Sequence, residues 1–250
     1  MQKPIIQVKD LKAGYADQVI IQDISFDVYA GEVFVILGGS GCGKSTLLKN
    51  MIGLTEPLAG SVYIDGVDLV TAQGRQKQDV LRKIGVMYQN GALFGSMNLM
   101  DNIALVLDEF TDLPRDAQEV IAYMKLKAVG LEQFAFLMPS ELSGGMRKRA
   151  AIARAMALDP QVLFLDEPSA GLDPVTSALM DDLILNLSRT LNTTFVIVTH
   201  ELPSIYAIAD RVIMLDKHTR TIIASGKPEL LRVNKENQQV YQFFNRHAFV

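Results

Sequence analysis

Gly38–Ser45 reads Gly-Gly-Ser-Gly-Cys-Gly-Lys-Ser, a match to G-x-x-x-x-G-K-[ST], whose chemistry is phosphate binding. A phosphate chain needs several backbone N–H groups converging on one spot, so Gly38, Gly41 and Gly43 act by keeping bulky side chains out of the turn. Lys44 adds a point charge for the β- and γ-phosphates, and the Ser45 hydroxyl can take one coordination position on Mg²⁺. Far along the chain, the apolar run Val162–Leu163–Phe164–Leu165 ends in Asp166 and Glu167. Beside a phosphate loop that pair divides the labour of phosphoryl transfer to water: Asp166 holds Mg²⁺ through water and Glu167 polarises the attacking water. A second apolar run, Phe195–Val196–Ile197–Val198, leads through Thr199 to His200. A histidine after a strand is usually a structural hydrogen-bonder. At a third strand edge beside the same phosphates, it is a candidate γ-phosphate contact.

Each of these groups sits where one element hands over to the next. Val33–Leu37 is a buried strand by its continuous Val and Ile content, and Leu47, Leu48, Met51 and Ile52 fall at helical spacing with Gly53 as the predicted C-cap. That helix points its positive dipole end at the bound anion. Upstream, Ile24, Phe26 and Val28 alternate with Ser25, Asp27 and Tyr29, and Val62 and Ile64 flank Tyr63 before Asp65–Gly66, which predicts an antiparallel β layer. Tyr15 within it is either a loop or edge-strand aromatic or a nucleobase platform, a stack worth about 1–3 kcal/mol.

Ile84–Tyr88 is a further strand, followed by Gln89. From Met97 to Leu137 helical spacing dominates, for example at Val120, Ile121, Met124 and Leu126, with breaks at Pro114 and Gly130. Ser143 then caps an Ala-rich helix that runs through Ala150, Ile152, Ala153, Ala155, Met156 and Leu158 until Asp159–Pro160 stops it. Ser143, Gly144 and Gly145 make a second anion site or a capped helix with a flexible entry, and for that motif alone the second is the simpler reading. Arg147, Lys148, Arg149 and Arg154 read as the solvated face of that helix.

The chain has 250 residues, 49% hydrophobic and 21% charged, enough for one large or two small domains with a sizeable core. A net charge of −4 and a pI near 5.4 argue against a general nucleic-acid surface, so phosphate affinity must be local. The single cysteine, Cys42, permits no intrachain disulfide, which predicts a reducing cytoplasm, and within the loop it suits a small filler. No basic segment followed by an apolar one opens the chain, and no apolar run approaches ~18 residues, so membrane association is expected through a partner.

Taken in order, Gly38–Ser45, Gln89, Leu142–Ser143–Gly144–Gly145, Asp166–Glu167, Gly171–Leu172–Asp173 and His200 closely resemble the ATP-binding subunits of ABC transporters over nearly the whole chain. The Ser-Gly-Gly signature between phosphate loop and acidic strand separates that family from other P-loop NTPases. The resemblance implies an α/β fold: a P-loop NTPase core with a mainly parallel sheet, an N-terminal antiparallel β layer and an inserted helical subdomain. It implies a single nucleotide-binding domain over residues 1–250, with core and β layer in 1–88 and 160–235, helical subdomain and signature in 89–159, and a tail in 236–250.

The implied ligands are ATP and Mg²⁺. Tyr15 resembles the adenine-stacking aromatic, and Gly38, Gly39, Ser40, Gly41, Cys42, Gly43, Lys44, Ser45 and Thr46 the phosphate cradle. Ser45, Gln89 and Asp166 would face the metal, Glu167 resembles the general base and His200 the switch histidine. Gln89 also resembles the sensor that reports to the membrane subunit. Ser143, Gly144 and Gly145 would contact ATP bound by a second copy, since such chains pack head to tail around two ATPs, and Asp173 joins the nucleotide-contacting set.

The signature departs from the common Leu-Ser-Gly-Gly-Gln at Met146. Backbone N–H groups and Ser143 supply most of the phosphate contact, so activity is expected to survive. Met146, with Gln89–Asn90–Gly91–Ala92–Leu93–Phe94, Asn102–Ile103, Arg147–Lys148–Arg149 and Gln242–Phe243–Phe244, resembles the ATPases of Mla-type lipid-trafficking systems. Those work with MCE-domain proteins and move phospholipid between the two membranes of a Gram-negative envelope. The implied partners are a second copy, an integral-membrane permease, an MCE-domain lipid-binding protein and a small accessory subunit, with no nucleic acid, at the cytoplasmic side of the inner membrane.

An ATPase of an importer for small polar solutes such as amino acids is the nearest alternative. A non-transport ABC ATPase usually shows a long coiled-coil insertion or two cassettes in one chain, and neither is present; a mere nucleotide-binding regulator would not need Asp166, Glu167 and His200 together. The ending from Asn245 to Val250 departs from the small-residue and proline endings of the Mla-type group. Before it, Val240, Tyr241, Phe243 and Phe244 put aromatics within about a helical turn, too apolar a face to leave in water. They fold back on the chain's own core or grip the partner ATPase or accessory subunit.

Overall fold

The computed structural model describes residues 3–15 and 18–245. β1 (Pro4–Tyr15) and β2 (Gln18–Tyr29) pair antiparallel, with Tyr15 opposite Gln18. β3 (Val33–Gly38) runs into the phosphate loop, and α1 (Lys44–Met51) leaves it. β4 (Ala59–Ile64) and β5 (Val67–Asp68) complete a sheet of order β2-β1-β4-β5, the predicted antiparallel layer. After α2 (Gly74–Leu81) and β6 (Ile84–Met87), three α-helices follow with no strand between them: α3 (Leu99–Phe110), α4 (Arg115–Ala128) and α5 (Gly144–Ala155). Strands and helices then alternate through β7 (Val162–Asp166), α6 (Pro174–Leu191), β8 (Thr194–Val198), α7 (Leu202–Ile208) and β9 (Arg211–Leu215). β10 (Ile222–Gly226), α8 (Pro228–Val233) and α9 (Gln238–Asn245) close the chain. The second sheet has the order β10-β9-β3-β8-β7-β6 and is parallel except at its β10 edge. This is the α/β architecture expected, with helices inserted between core strands.

The central strands read as unbroken apolar runs because both of their faces are covered. Val33, Val35 and Leu37 of β3 join a core built with the helices, while Phe34 and Ile36 join a core shared with α1 and the antiparallel layer. β7 divides in the same way, with Leu163 and Leu165 on one side and Val162 and Phe164 on the other. Burying each such side chain stabilises by about 1.5–3 kcal/mol. Parallel pairing also aligns strand ends: Val198 lies opposite Ile36 on one side and Asp166 on the other, and Met87 lies opposite Leu165. The loops after β3, β6, β7 and β8 therefore open on one sheet edge, where α/β folds hold ligands.

Three boundaries or faces differ from the sequence expectation. Ile52 caps α1 and Gly53 stands one residue beyond, at φ +70, where its N–H donates to the Asn50 carbonyl at 3.1 Å and that of Leu54 to the Lys49 carbonyl at 2.9 Å. α4 turns Gln118, Ala122 and Leu126 inward and leaves Val120 and Met124 60% and 61% exposed, because its packing against α3 and α5 selects the face. α5 ends at Ala155 and not at Asp159. Asp159 is held at φ 50, its following proline disfavours a helical conformation there, and the chain must turn to start β7 at Val162.

α9 folds back on the chain's own core, the first of the two readings of the tail. Val240 and Phe244 are buried in the helix-side core, the Tyr206 hydroxyl donates to the Phe244 carbonyl at 3.0 Å, and Gln239 Nε2 donates to Asp216 Oδ1 at 2.6 Å. The ending beyond Asn245, residues 246–250, lies outside the described residues.

Asp181, on α6, is buried with Oδ1 unpartnered, and burial pushes its carboxyl up to about 6. Between about pH 4 and 6 the folded chain keeps a proton that the unfolded chain releases, so stability is lost as pH rises through that window, by at most about 3 kcal/mol. Asp181→Asn is expected to raise the melting temperature at pH 7.5, by a margin that shrinks steadily as pH falls from 6 to 4. Thermal melts across that range check it, and a margin independent of pH would contradict it.

Candidate functional site

The phosphate loop keeps its shape because glycine alone fits at two points. Gly38 sits at φ +148, where an added Cβ would lie 2.5 Å from the Leu215 carbonyl oxygen and 2.6 Å from Cys42 Sγ; Gly43 sits at φ +102, and its Cβ would lie 2.4 Å from Ile21 Cγ2. Cys42 packs its side chain inward and burial pushes its thiol pKa up, as suits a filler. Gly39, Ser40, Gly41 and Ser45 are exposed, and Thr46 is buried. Lys44 Nζ donates to the carbonyls of Gly38 at 2.8 Å and Gly39 at 3.2 Å, so the ammonium is folded onto its own loop. At the end of β1 the Tyr15 ring is half exposed, with Lys49 Nζ 5.9 Å from its centroid.

Across the same edge, Asp166 ends β7. Burial and the neighbouring Glu167 carboxylate push its pKa up, while Lys44 and Lys49 oppose them. Glu167 takes the left-handed conformation at φ 50, uncommon for a residue with a side chain. Its N–H donates to the Val198 carbonyl at 2.8 Å, and its carbonyl accepts from Ala170 N at 3.2 Å and Lys148 Nζ at 3.0 Å. Its Oε1 lies 2.8 Å from His200 Nδ1, and since a carboxylate only accepts, Nδ1 carries the proton. Oε2 is buried with no protein partner, an acceptor still open to a water. Thus Glu167 and the largely exposed His200, from different strand ends, meet directly.

The residues present fit Mg²⁺. Among the described residues no group of three or more His, Cys, Asp or Glu could hold a metal, and the donors proposed from sequence are a hydroxyl (Ser45), an amide (Gln89) and a carboxylate (Asp166). Such a sparse oxygen set suits Mg²⁺ completed by phosphates and water.

Ser143 caps α5, its Oγ accepting from Met146 N at 3.2 Å. A Cβ on Gly145 would come within 2.6 Å of Thr176 Cγ2, so the signature glycine seats α5 against α6. Asp173 is the N-cap of α6, accepting from Val175 N and Thr176 N at 3.0 Å and from Thr176 Oγ1 at 2.5 Å; these bonds, that hydroxyl first, hold its pKa down. Ser143, Gly145, Met146 and Thr176 line a 620 Å³ cleft that no phosphate-loop residue enters. Gln89, exposed, shares a neighbouring 460 Å³ cleft with Gly144, Lys148 and Ala170.

The solvated face expected for the basic residues of α5 holds for Arg147, which is exposed, but not for Lys148, which is buried, and only in part for Arg149 and Arg154. Arg147 donates to the Leu142 carbonyl at 3.3 Å and Arg149 to that of Val129 at 3.0 Å. Arg154 donates to Ala92 at 2.6 Å and Gly91 at 3.2 Å, and Lys148 to Glu167 and to Ala170 at 2.6 Å. Each cation satisfies loop carbonyls that no strand or helix pairs. A signal for Lys148 lay in the spacing: it follows Gly145 by three residues and precedes Ile152 by four, on the buried stripe of the helix.

The family model described as ABC transporter matches residues 21–170. The chain is 41% identical over 240 residues to the probable ribonucleotide transport ATP-binding protein mkl of Mycobacterium leprae, covering 96% of this chain and 68% of that protein. It is 39% identical over 243 residues to the intermembrane phospholipid transport system ATP-binding protein MlaF of Haemophilus influenzae, covering 97% and 91% of the two. Among solved structures it resembles the dimeric post-hydrolysis state of the ATP-binding cassette MJ0796 bound to ADP and Pi, with a TM-score of 0.80 and 28% identity over 89% of this chain and 98% of that one.

Proposed function

The chain belongs to the ABC transporter family, and from that premise we propose that it is the ATP-hydrolysing subunit of a transporter that moves phospholipid between membranes. The observation that carries hydrolysis is the placement of Glu167, with one carboxylate oxygen on His200 and the other buried and open, at the sheet edge that also bears the phosphate loop. The cargo reading is supported by near-complete coverage of a relative named for intermembrane phospholipid transport, against 68% of the one named for ribonucleotide transport.

In this reading Lys44 leaves the Gly38 and Gly39 carbonyls for the β- and γ-phosphates, and the loop amides take up the phosphate charge. Tyr15 stacks on the adenine. Ser45, Gln89 and Asp166 would hold Mg²⁺, which when bound neutralises phosphate charge. Glu167 accepts the proton of the attacking water through its open oxygen, and His200, oriented by Glu167, reaches the γ-phosphate. Ser143, Gly144 and Gly145, with Asp173 at the head of α6, face the ATP of a second copy. The separate cleft at Ser143 and the dimeric state of the MJ0796 cassette support that division.

The domain plan of the sequence reading stands as part of the proposal: core in 1–88 and 160–235, helical subdomain in 89–159 and tail in 236–250. Among the described residues no helix is long and apolar enough to cross a membrane. In this reading a permease holds the pair at the cytoplasmic face of the inner membrane, and the assembly also includes an MCE-domain protein and a small accessory subunit. The test is affinity purification of the intact complex. Phospholipid, a permease and an MCE-domain partner are expected to copurify, whereas a complex that carries nucleotide or amino-acid cargo and no lipid would overturn the assignment.

A further inference from the structure

Lys148 is a cation in an unusual place. It stands on α5, is only 8% exposed, and spends its ammonium on two backbone carbonyls of another segment, Glu167 at 3.0 Å and Ala170 at 2.6 Å. Burial pushes its pKa down, with the carboxylates of Glu201 and Glu167 opposing that shift. Burying an amine is costly unless its donors are used, so the bond must return something local. What it holds is the turn after β7, where Glu167 is kept in a left-handed conformation that costs about 1–2 kcal/mol and persists only where its surroundings over-determine it. The Glu167 N–H is tied to Val198 and its Oε1 to His200; Lys148 and Ala170 N fix the remaining backbone handle, the carbonyl.

We propose that Lys148 is a positioning residue for hydrolysis, setting the aim of Glu167 through the backbone of its turn and tying that turn to the helix that starts at Ser143. This rests on Glu167 being the base. It adds a consequence: within one chain, the segment facing the second copy's ATP and the acid serving this chain's own ATP are joined by one side chain. Nucleotide seated at Ser143 is thereby felt at Glu167.

The test compares Lys148→Met, which keeps the apolar stem without donors, with Lys148→Gln, which restores a donor on a slightly shorter stem. In the assembled complex Lys148→Met is expected to lower kcat by about 10–10²-fold, the scale of a misplaced reacting group, with KM for ATP within about twofold. Lys148→Gln recovers most of the rate. Added to Glu167→Gln, Lys148→Met is expected to cost nothing further, because the group it aims is already gone; a general packing defect would instead add its own loss. Wild-type kcat in Lys148→Met, or full additivity in the double variant, overturns the proposal. If Lys148→Met does not fold, Lys148→Leu takes its place, and failure of both to fold makes the residue structural and likewise overturns it. Glu167→Gln alone separates the two readings: a fast Glu167→Gln removes the base, whereas a slow Glu167→Gln beside a fast Lys148→Met removes only the positioning role.

Discussion

Glu167→Gln is expected to slow ATP turnover by about 10²–10⁴-fold while ATP binding stays at its wild-type strength. Glutamine keeps the side-chain length and offers His200 an acceptor, and the bond to the Val198 carbonyl and those from Ala170 and Lys148 involve only the Glu167 backbone, so the turn is undisturbed. What disappears is the proton acceptor. The buried Oε2 has no protein partner to satisfy, so in the wild type its lone pairs are free for the water to be activated. Single-turnover hydrolysis beside an ATP titration checks this. A rate near wild type would remove Glu167 from the role of base.

Lys44→Ala acts one step earlier and is expected to cost ATP affinity about 10²-fold or more, because two charge-assisted bonds to phosphate are each worth roughly 1.5–3 kcal/mol. The free loop should survive the change. Gly38 and Gly43 still allow the turn's tight approaches to Leu215, Cys42 and Ile21, and the bonds lost are those of the ammonium to the Gly38 and Gly39 carbonyls. The expected pattern is thus a chain that still folds without nucleotide, and a thermal stabilisation on adding ATP much smaller than that of the wild type. Retained ATP affinity in a titration would contradict the assignment of Lys44 to the phosphates.

The elements around these two residues were legible because their signals are local. Val33–Leu37 had to be a two-faced buried strand, and Asp166 and Glu167 could be placed at a strand end without knowing what they meet. The failures share the opposite property. Lys148, Arg149 and Arg154 looked solvated because cations grouped on one helix usually are, and Arg147 does stay exposed, yet those three are partly or fully buried on loop carbonyls whose positions depend on how other elements pack. Val120 and Met124 sit on a true helix, but which stripe of α4 turns inward is chosen by α3 and α5. Composition alone left open whether the tail covers its own core, and the bond from Tyr206 to Phe244 and the burial of Val240 show that it does.

By itself the amino-acid order determined which chemistry is on offer: a glycine turn that can cradle phosphates, a lysine and a hydroxyl beside it, and two acids and a histidine at strand ends. Those are properties of residue type and near-neighbour spacing, which survive in any arrangement of the chain. Tertiary structure decided which oxygen of Glu167 is left free, what holds its left-handed turn, and that the Ser143 helix opens on a cleft apart from the phosphate loop. Such facts arise only when segments distant in sequence exclude water from one another, because a buried donor or acceptor must then find its partner in whatever element the packing brings against it.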